Sequence, residues 1–317
     1  MAVTRIQSSL ADSSFVTYRS AWLAFFRFLL AFEWSPIPPV QELFVRYATW
    51  LWDCRYAYAT IRTYLASLPS LYIAVGYEIS LGKSVFPSLA RCLQGIRRDL
   101  RAPQSKSHLT IELLVAFGSH VSTKIPKDLA LWAALCVGFF SFLRSGNLVP
   151  KSKGAWKPGT HLARSDLSFV ERGAILRVRF TKTCQFDGPP IEVPIPYVPG
   201  ALFCPVSALR RLLIVAPAQP ASPLFSYSEE EWVSYSELLS FIKTLASKCS
   251  LNPDEFGCHS CRSGGATFAS ASGGSDYHIK LQGLWKSDAF LRYLHLSIDQ
   301  RWHLPSVMAI AALDSLK

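Results

Sequence analysis

In the stretch FGCHSCRSGGATFASASGGSDYHIKLQGLWKSDAFLRYLH, His259 and Arg262 stand three residues apart. Ser260 and the small residues after it read as the start of a closely packed helix, where positions three apart share a face. The pair would set an imidazole, which can move a proton, beside a guanidinium, which stays charged. The same spacing also fits an ordinary capped helix. Arg144 closes the run LALWAALCVGFFSFLR, where its plainest role is a surface cation near the last carbonyls of a helix. In AILRVRFTKT, Lys182 follows Leu176, Val178 and Phe180 on the inward parity of a strand, with Arg177, Arg179 and Thr181 on the other face. It either snorkels past the sheet rim or reaches a site beside it. Trp285 falls in a turn after Gly283, and Tyr293 in a helix capped by Ser287-Asp288. Among apolar neighbours, such rings ordinarily belong to a core.

The elements that must position these groups are legible from periodicity. A membrane span needs roughly 20 apolar residues, and the run from Leu129 ends at Leu143. It is apolar on every side, which predicts a helix buried among others, ending at Ser145-Gly146-Asn147 with Pro150 beyond. Its burial would then hold Arg144 at the exit. From Ser9 to about Leu100, SSFVTYRSAWLAFFRFLLAF, VQELFVRYATWLWDCR, YATIRTYLASLPSLYIAVG and SLARCLQGIRRDLR repeat apolar residues at helical spacing and predict a bundle of four to five helices. The polar stretch Ala102 to His108 marks a hinge, dividing the chain into domains 1–103 and 104–317. Beyond residue 164, DLSFVE, AILRVRFTKT and IEVPIP read as a small antiparallel sheet. Pro194 and Pro196 confine its third strand to an edge. Helices resume with VSALRRLLIVA and SYSELLSFIKTLASKC. The fold expected is mainly α with a small antiparallel β-sheet: an N-terminal helical bundle and a C-terminal mixed α/β domain.

With 33 basic against 22 acidic residues the chain carries +11, divided +5 and +6 between the two domains. That balance suits a polyanionic partner such as nucleic acid or an acidic membrane surface. The N-terminal stretch lacks the apolar core of a secretory signal, so an intracellular protein is expected. The eight cysteines form no small-domain disulfide framework and read as reduced, mostly buried thiols. Cys258, His259 and Cys261 have only Cys249 nearby as a further ligand, so no structural zinc site is expected.

Taken in order, Arg144, Lys182, His259, Arg262, Trp285 and Tyr293 resemble the active-site series of the tyrosine recombinases, the phage-type integrase family. The likeness includes local context: LRSGN, TKT, HSCRSGGAT and GLWKSDAFLRYLH. It covers most of the chain, because the helical lobe and polar hinge look like that family's core-binding domain and linker. The last two boxes look most like recombinases of eukaryotic DIRS-like and crypton-like mobile elements, with Trp285 as in Cre-like members.

The resemblance implies a chemistry these residue types can perform. Arg144 and Arg262 would hold the non-bridging oxygens of a phosphodiester as charge develops on them. Tyr293 would attack phosphorus to form a 3′-phosphotyrosyl link, with His259 assisting the phenol and Lys182 protonating the leaving 5′-oxygen. Trp285 would donate its indole N–H to the phosphate and buttress the tyrosine helix. No cofactor or metal is implied. The partners implied are double-stranded DNA and a homo-tetramer on two paired sites. The location would be nuclear in a eukaryote and cytoplasmic otherwise. Arg62, Arg97 and Arg98 are candidate phosphate contacts. One position departs from the family pattern: where many members carry an acid three places after the first arginine, this chain has Asn147, which hydrogen-bonds but brings no charge. Two other readings remain: a catalytically silent DNA-binding protein derived from a mobile element, and a type IB topoisomerase-like enzyme.

Overall fold

The computed structural model describes residues 12–99, 106–181 and 189–294, together with positions 305 and 308. The chain divides into two compact units, residues 1–104 and 105–317.

The first unit contains four helices among the described residues: α1 (Asp12–Ala31), α2 (Gln41–Asp53), α3 (Tyr58–Ala74) and α4 (Pro87–Asp99). Their apolar stripes converge on Phe25, Phe28, Phe44, Tyr47, Leu51, Ile61, Leu65 and Tyr72, all buried. Aromatic rings fill much of this core, and their polar tips find backbone partners: the Tyr72 hydroxyl donates to the Pro36 carbonyl at 2.7 Å, and the Trp22 indole N–H to Ser67 at 3.1 Å. Burial pushes the Tyr72 phenol up to about 12. Arg97 and Arg98 lie in the last turn of α4 and Arg62 on α3, all three side chains exposed.

The second unit is built around α6 (Pro126–Ser141), preceded by α5 (Ile111–Ser119). Every residue of α6 from Leu129 to Phe139 is buried. Four later elements pack against it: the strand β3 (Ile191–Pro196) and the helices α8 (Pro205–Val215), α9 (Tyr235–Lys248) and α10 (Cys258–Ala271). The all-round apolarity of the run is thus explained by burial in protein, and no described helix is long and apolar enough to cross a membrane. The expected end of this helix needs correction. Phe142 turns into the left-handed region at φ 52, so the helix closes at Ser141, and Arg144 is the N-cap of a separate short helix, α7 (Ser145–Leu148). Arg144 therefore does not sit at the carbonyl end of the core helix.

The sheet is an antiparallel meander of β1 (Leu167–Val170), β2 (Gly173–Val178) and β3, with β3 on an edge as its alternate prolines require. Pro194 faces Ile175 and Pro196 faces Gly173 across the β2–β3 ladder. Ala174, Leu176 and Val178 form the inward row. The ladder ends at the Val178–Ile191 pair, and the alternation ends with it: Phe180 is half-buried while Thr181 is buried. The expectation that Thr181 points outward is corrected. Lys182 itself lies outside the described residues.

In RSGGAT, Gly264 and Gly265 permit two close backbone approaches. A Cβ on Gly264 would run into the Leu109 carbonyl, and one on Gly265 into the Phe139 carbonyl and the Phe142 ring. The small residues after Arg262 thus let α10 cross the end of α6 at backbone contact, which brings Arg262 to the Phe142 turn.

Candidate active site

Arg262 is 2% exposed, an unusual depth for a guanidinium. It donates to the carbonyl of Phe142, in the turn that closes α6, and to the carbonyl of Gly283 at 2.9 Å, in the turn that ends α11 (Asp276–Gln282). The guanidinium carbon lies 3.7 Å from the centroid of the Trp285 ring, a stacked cation–π contact. Three elements thus meet at one charged group. The Phe142 carbonyl left by the α6 turn is served by Arg262, the role first considered for Arg144.

Trp285, 6% exposed, packs against Phe142 at 6.4 Å between centroids and Phe290 at 6.0 Å. A Cβ on Gly283 would overlap the indole, so glycine is needed two residues before the tryptophan. Phe290 belongs to a 3₁₀ helix, Asp288–Tyr293, whose N-cap Ser287 accepts from Ala289 N at 3.4 Å. The helix expected there exists in this tighter form and ends at Tyr293. The Tyr293 side chain lies outside the described residues.

His259 occupies the first turn of α10, where Ser260 Oγ accepts from the Gly257 N–H at 3.0 Å and fixes the helix start. Its ring reaches solvent. Its pKa is lowered, first by desolvation from the surrounding protein and then by the positive charges of Arg262 and Arg144. The imidazole is accordingly held neutral near pH 7 and can accept a proton. Arg144 is half-exposed, and its guanidinium forms no hydrogen bond or ion pair with any described residue. One guanidinium is therefore committed to structure and stacking while the other remains available to an anion.

Two amide side chains support these elements. Gln282 donates its amide to the carbonyls of Phe140 at 3.0 Å and Pro194 at 2.7 Å, joining α11 to the end of α6 and to β3. Asn147 donates to the Phe180 carbonyl at 2.6 Å. Neither contact is visible in sequence, because an amide carries no periodic signal; Asn147 stands out there only as a neutral residue three places after Arg144. Cys258 and Cys261 are buried, and burial raises both thiols, that of Cys258 to about 12. Among the described residues no three His, Cys, Asp or Glu side chains come together as metal ligands.

No family profile matches the chain. An integrase/recombinase XerD homolog of Selenomonas ruminantium is 24% identical over 306 aligned positions, covering 94% of this chain and 85% of that protein. The Tn1549 transposon integrase, solved with transposon right-end DNA, superposes with a TM-score of 0.66 at 16% identity, covering 97% of this chain and 99% of that one. The chain has the tyrosine-recombinase fold. A lambda integrase dimer on a core site gives a TM-score of 0.59 at 17% identity over 90% of this chain and 89% of that one. A post-cleavage complex of the XerH site-specific recombinase gives 0.64 at 13% identity, covering 92% and 79%. The similarities in sequence and in fold both run through tyrosine recombinases and integrases, and none singles out recombinases of eukaryotic elements.

Proposed function

We propose that this protein is a site-specific DNA recombinase that cleaves and rejoins strands through a 3′-phosphotyrosyl intermediate, serving the integration or excision of a mobile element. The observation that carries this reading is the convergence around α10. Arg262 stacks on Trp285, His259 feels the charges of both Arg262 and Arg144, and the 3₁₀ helix ending at Tyr293 packs through Phe290 on Trp285. Arg144, His259, Arg262 and Trp285 come from segments far apart in sequence, and their proximity supports this reading.

In this reading the scissile phosphate binds beside Arg144, whose guanidinium is available, and its developing negative charge is stabilised there. Arg262 adds a fixed positive charge from beneath. The Tyr293 oxygen attacks phosphorus, its proton passing to neutral His259, and the bond from phosphorus to the 5′-oxygen breaks. Lys182 supplies a proton to that oxygen. Rejoining runs the same steps backward with a 5′-hydroxyl as nucleophile, so no nucleotide is consumed. Residues 1–103 would grip DNA as the core-binding lobe, with Arg62, Arg97 and Arg98 on phosphates, and residues 104–317 would carry the chemistry. A tetramer on two paired sites is the assembly proposed, in the nucleus of a eukaryote or the cytoplasm otherwise; a DIRS-like or crypton-like element is the proposed source.

The test is covalent trapping on a nicked suicide substrate, whose cleaved fragment diffuses away so that the adduct accumulates. Wild-type protein should form an adduct, and Tyr293→Phe should bind equally well and form none. An adduct from the Phe variant would remove Tyr293 from the mechanism. DNA binding without any adduct from the wild type would favour the catalytically silent reading, and relaxation of supercoils without strand exchange would favour the topoisomerase-like one.

A further inference from the structure

The first unit holds a cavity of about 220 Å³ whose lining is rich in aromatic rings. Phe28 is 2% exposed, and its ring lies 5.3 Å from that of Phe32 and 5.7 Å from that of Trp50, centroid to centroid. Trp34 lines the cavity as well, and its face already carries a cation: the Arg46 guanidinium carbon lies 5.4 Å from the ring centroid. Phe32 is left 53% exposed, so an apolar wall of this chamber stands open to solvent.

The charges around these rings are negative on balance. Asp53 lines the cavity, and its carboxylate forms no hydrogen bond or ion pair with any described residue. It is also the last residue of α2, the end of a helix where the backbone dipole is negative and a carboxylate is disfavoured unless a cation faces it. Phe32 directly follows the last residue of α1, so a second helix C-terminus borders the cavity, and neither helix has a basic residue in its last turn. Arg46, the basic side chain in the lining, is already matched by Glu42 at 2.8 Å.

We propose that this cavity binds an alkylated ammonium group, the chemistry shared by the trimethylated side chain of lysine and the head of choline. The ring faces attract a positive charge and give its methyl groups apolar contact, while Asp53 supplies the counter-charge. A bare ammonium fits less well. It brings three N–H donors, and apart from Asp53 and the Thr49 hydroxyl the lining side chains carry no acceptor for them. The inference concerns the helical lobe alone and does not depend on the recombinase reading.

Titration calorimetry on the full chain tests it with four probes. These are choline, the neutral analogue in which carbon replaces choline's nitrogen, and one short peptide carrying either trimethylated or unmodified lysine. Choline should bind at least about tenfold more tightly than its carbon analogue, and the trimethylated peptide should exceed the unmodified one by a similar factor, as a desolvated cation–π site requires. A peptide that outbinds choline assigns the site to a protein partner, and the reverse order assigns it to a free small molecule; either supports the proposal. Asp53→Asn and Phe32→Ala should each weaken binding about fivefold or more. Unfolding curves accompany both, and the nearly isosteric Asn variant carries the test if the Ala variant does not fold. Equal binding of choline and its carbon analogue would reduce the cavity to an apolar hole and overturn the proposal. So would equal binding of the two peptides, no binding by any probe, or unchanged affinity in both variants.

Discussion

Replacing Trp285 tests whether the stacked ring beneath Arg262 matters for more than packing. The indole is 6% exposed and contacts Phe142, Phe290 and the Arg262 guanidinium, so Trp285→Ala removes the centre of a small cluster. A buried aromatic withdraws about 150–250 Å² from water, which at about 25 cal/mol per Å² bounds the loss at roughly 4–6 kcal/mol. Tryptophan-to-alanine changes in cores typically cost about 3–5 kcal/mol, and a desolvated cation–π contact adds up to about 2. Arg262 keeps its two carbonyl bonds, so only part of that addition is lost, and about 4 kcal/mol is expected. Urea unfolding measures this as a shift of the midpoint at constant slope. The informative pair is Trp285→Phe and Trp285→Leu. Both restore part of the apolar volume, but only Phe returns a π face beneath the guanidinium. Their stabilities should be similar, while single-turnover cleavage by the Leu variant should be about tenfold slower than by Phe, roughly the 1.4 kcal/mol expected of a lost cation–π contact. Equal cleavage rates for Phe and Leu would refute the claim that the ring orients Arg262 for chemistry. A loss below about 1 kcal/mol in the Ala variant would refute the packing argument as well.

Arg144→Ala should slow covalent cleavage by about 3 kcal/mol or more while leaving the unfolding midpoint nearly unchanged, because this guanidinium forms no bond with a described residue; wild-type cleavage would remove it from the phosphate. The same substitution deletes a positive charge beside His259 and should raise that imidazole's pKa, read by NMR titration, and an unmoved titration would contradict the shared field. Because His259 titrates below its ordinary 6.5 and acts when neutral, cleavage should hold steady at neutral pH and fall as pH drops through the lowered pKa. Stability follows the same sign: the unfolded chain binds this proton more readily, so the folded state is penalised as pH falls below about 6.5. Affinity for duplex DNA should fall steeply between about 50 and 200 mM salt if roughly 6–10 phosphates are contacted, and a flat response would point away from DNA. Deleting residues 305–317, whose Val307, Ile310, Ala311 and Leu313 recur at helical spacing, should leave a folded protein that binds one site but assembles paired-site complexes poorly. Assembly at the full-length level, or loss of folding, would refute that role.

The sequence was most legible where burial imposes a period. The apolar run of α6, the four helices of the first unit and the proline-marked edge strand all follow from side chains that must face one way. It was least legible where the chain leaves a regular element. Nothing in FFSFLRSGN shows that Phe142 takes a left-handed conformation, because this is not a residue that favours it; the bend depends on Arg262, 120 positions later, donating to the Phe142 carbonyl. Extending the β2 alternation to Thr181 failed for a related reason. Periodicity is enforced by ladder partners, and among the described residues the β2–β3 ladder stops at Val178.

Those departures fall where the candidate site is built, and there is a physical reason. Inside a helix or a paired strand the carbonyls are already taken, so those open to a distant side chain lie at helix ends, sheet edges and strand ends, as the Gln282 contacts to Phe140 and Pro194 also show. Where α6 and β2 stop, the carbonyls of Phe142 and Phe180 are released, and each is met by a polar side chain, Arg262 or Asn147. The interruptions that defeat a periodic reading are thus the sockets that bring remote segments into register. Reading Arg144 as the guanidinium that serves the α6 carbonyls had the right kind of contact but the wrong residue. A local partner would have needed only a helix end, whereas Arg262 reaches the turn because Gly264 and Gly265 let α10 approach at backbone distance. Substituting either glycine by alanine would move Arg262 without touching it.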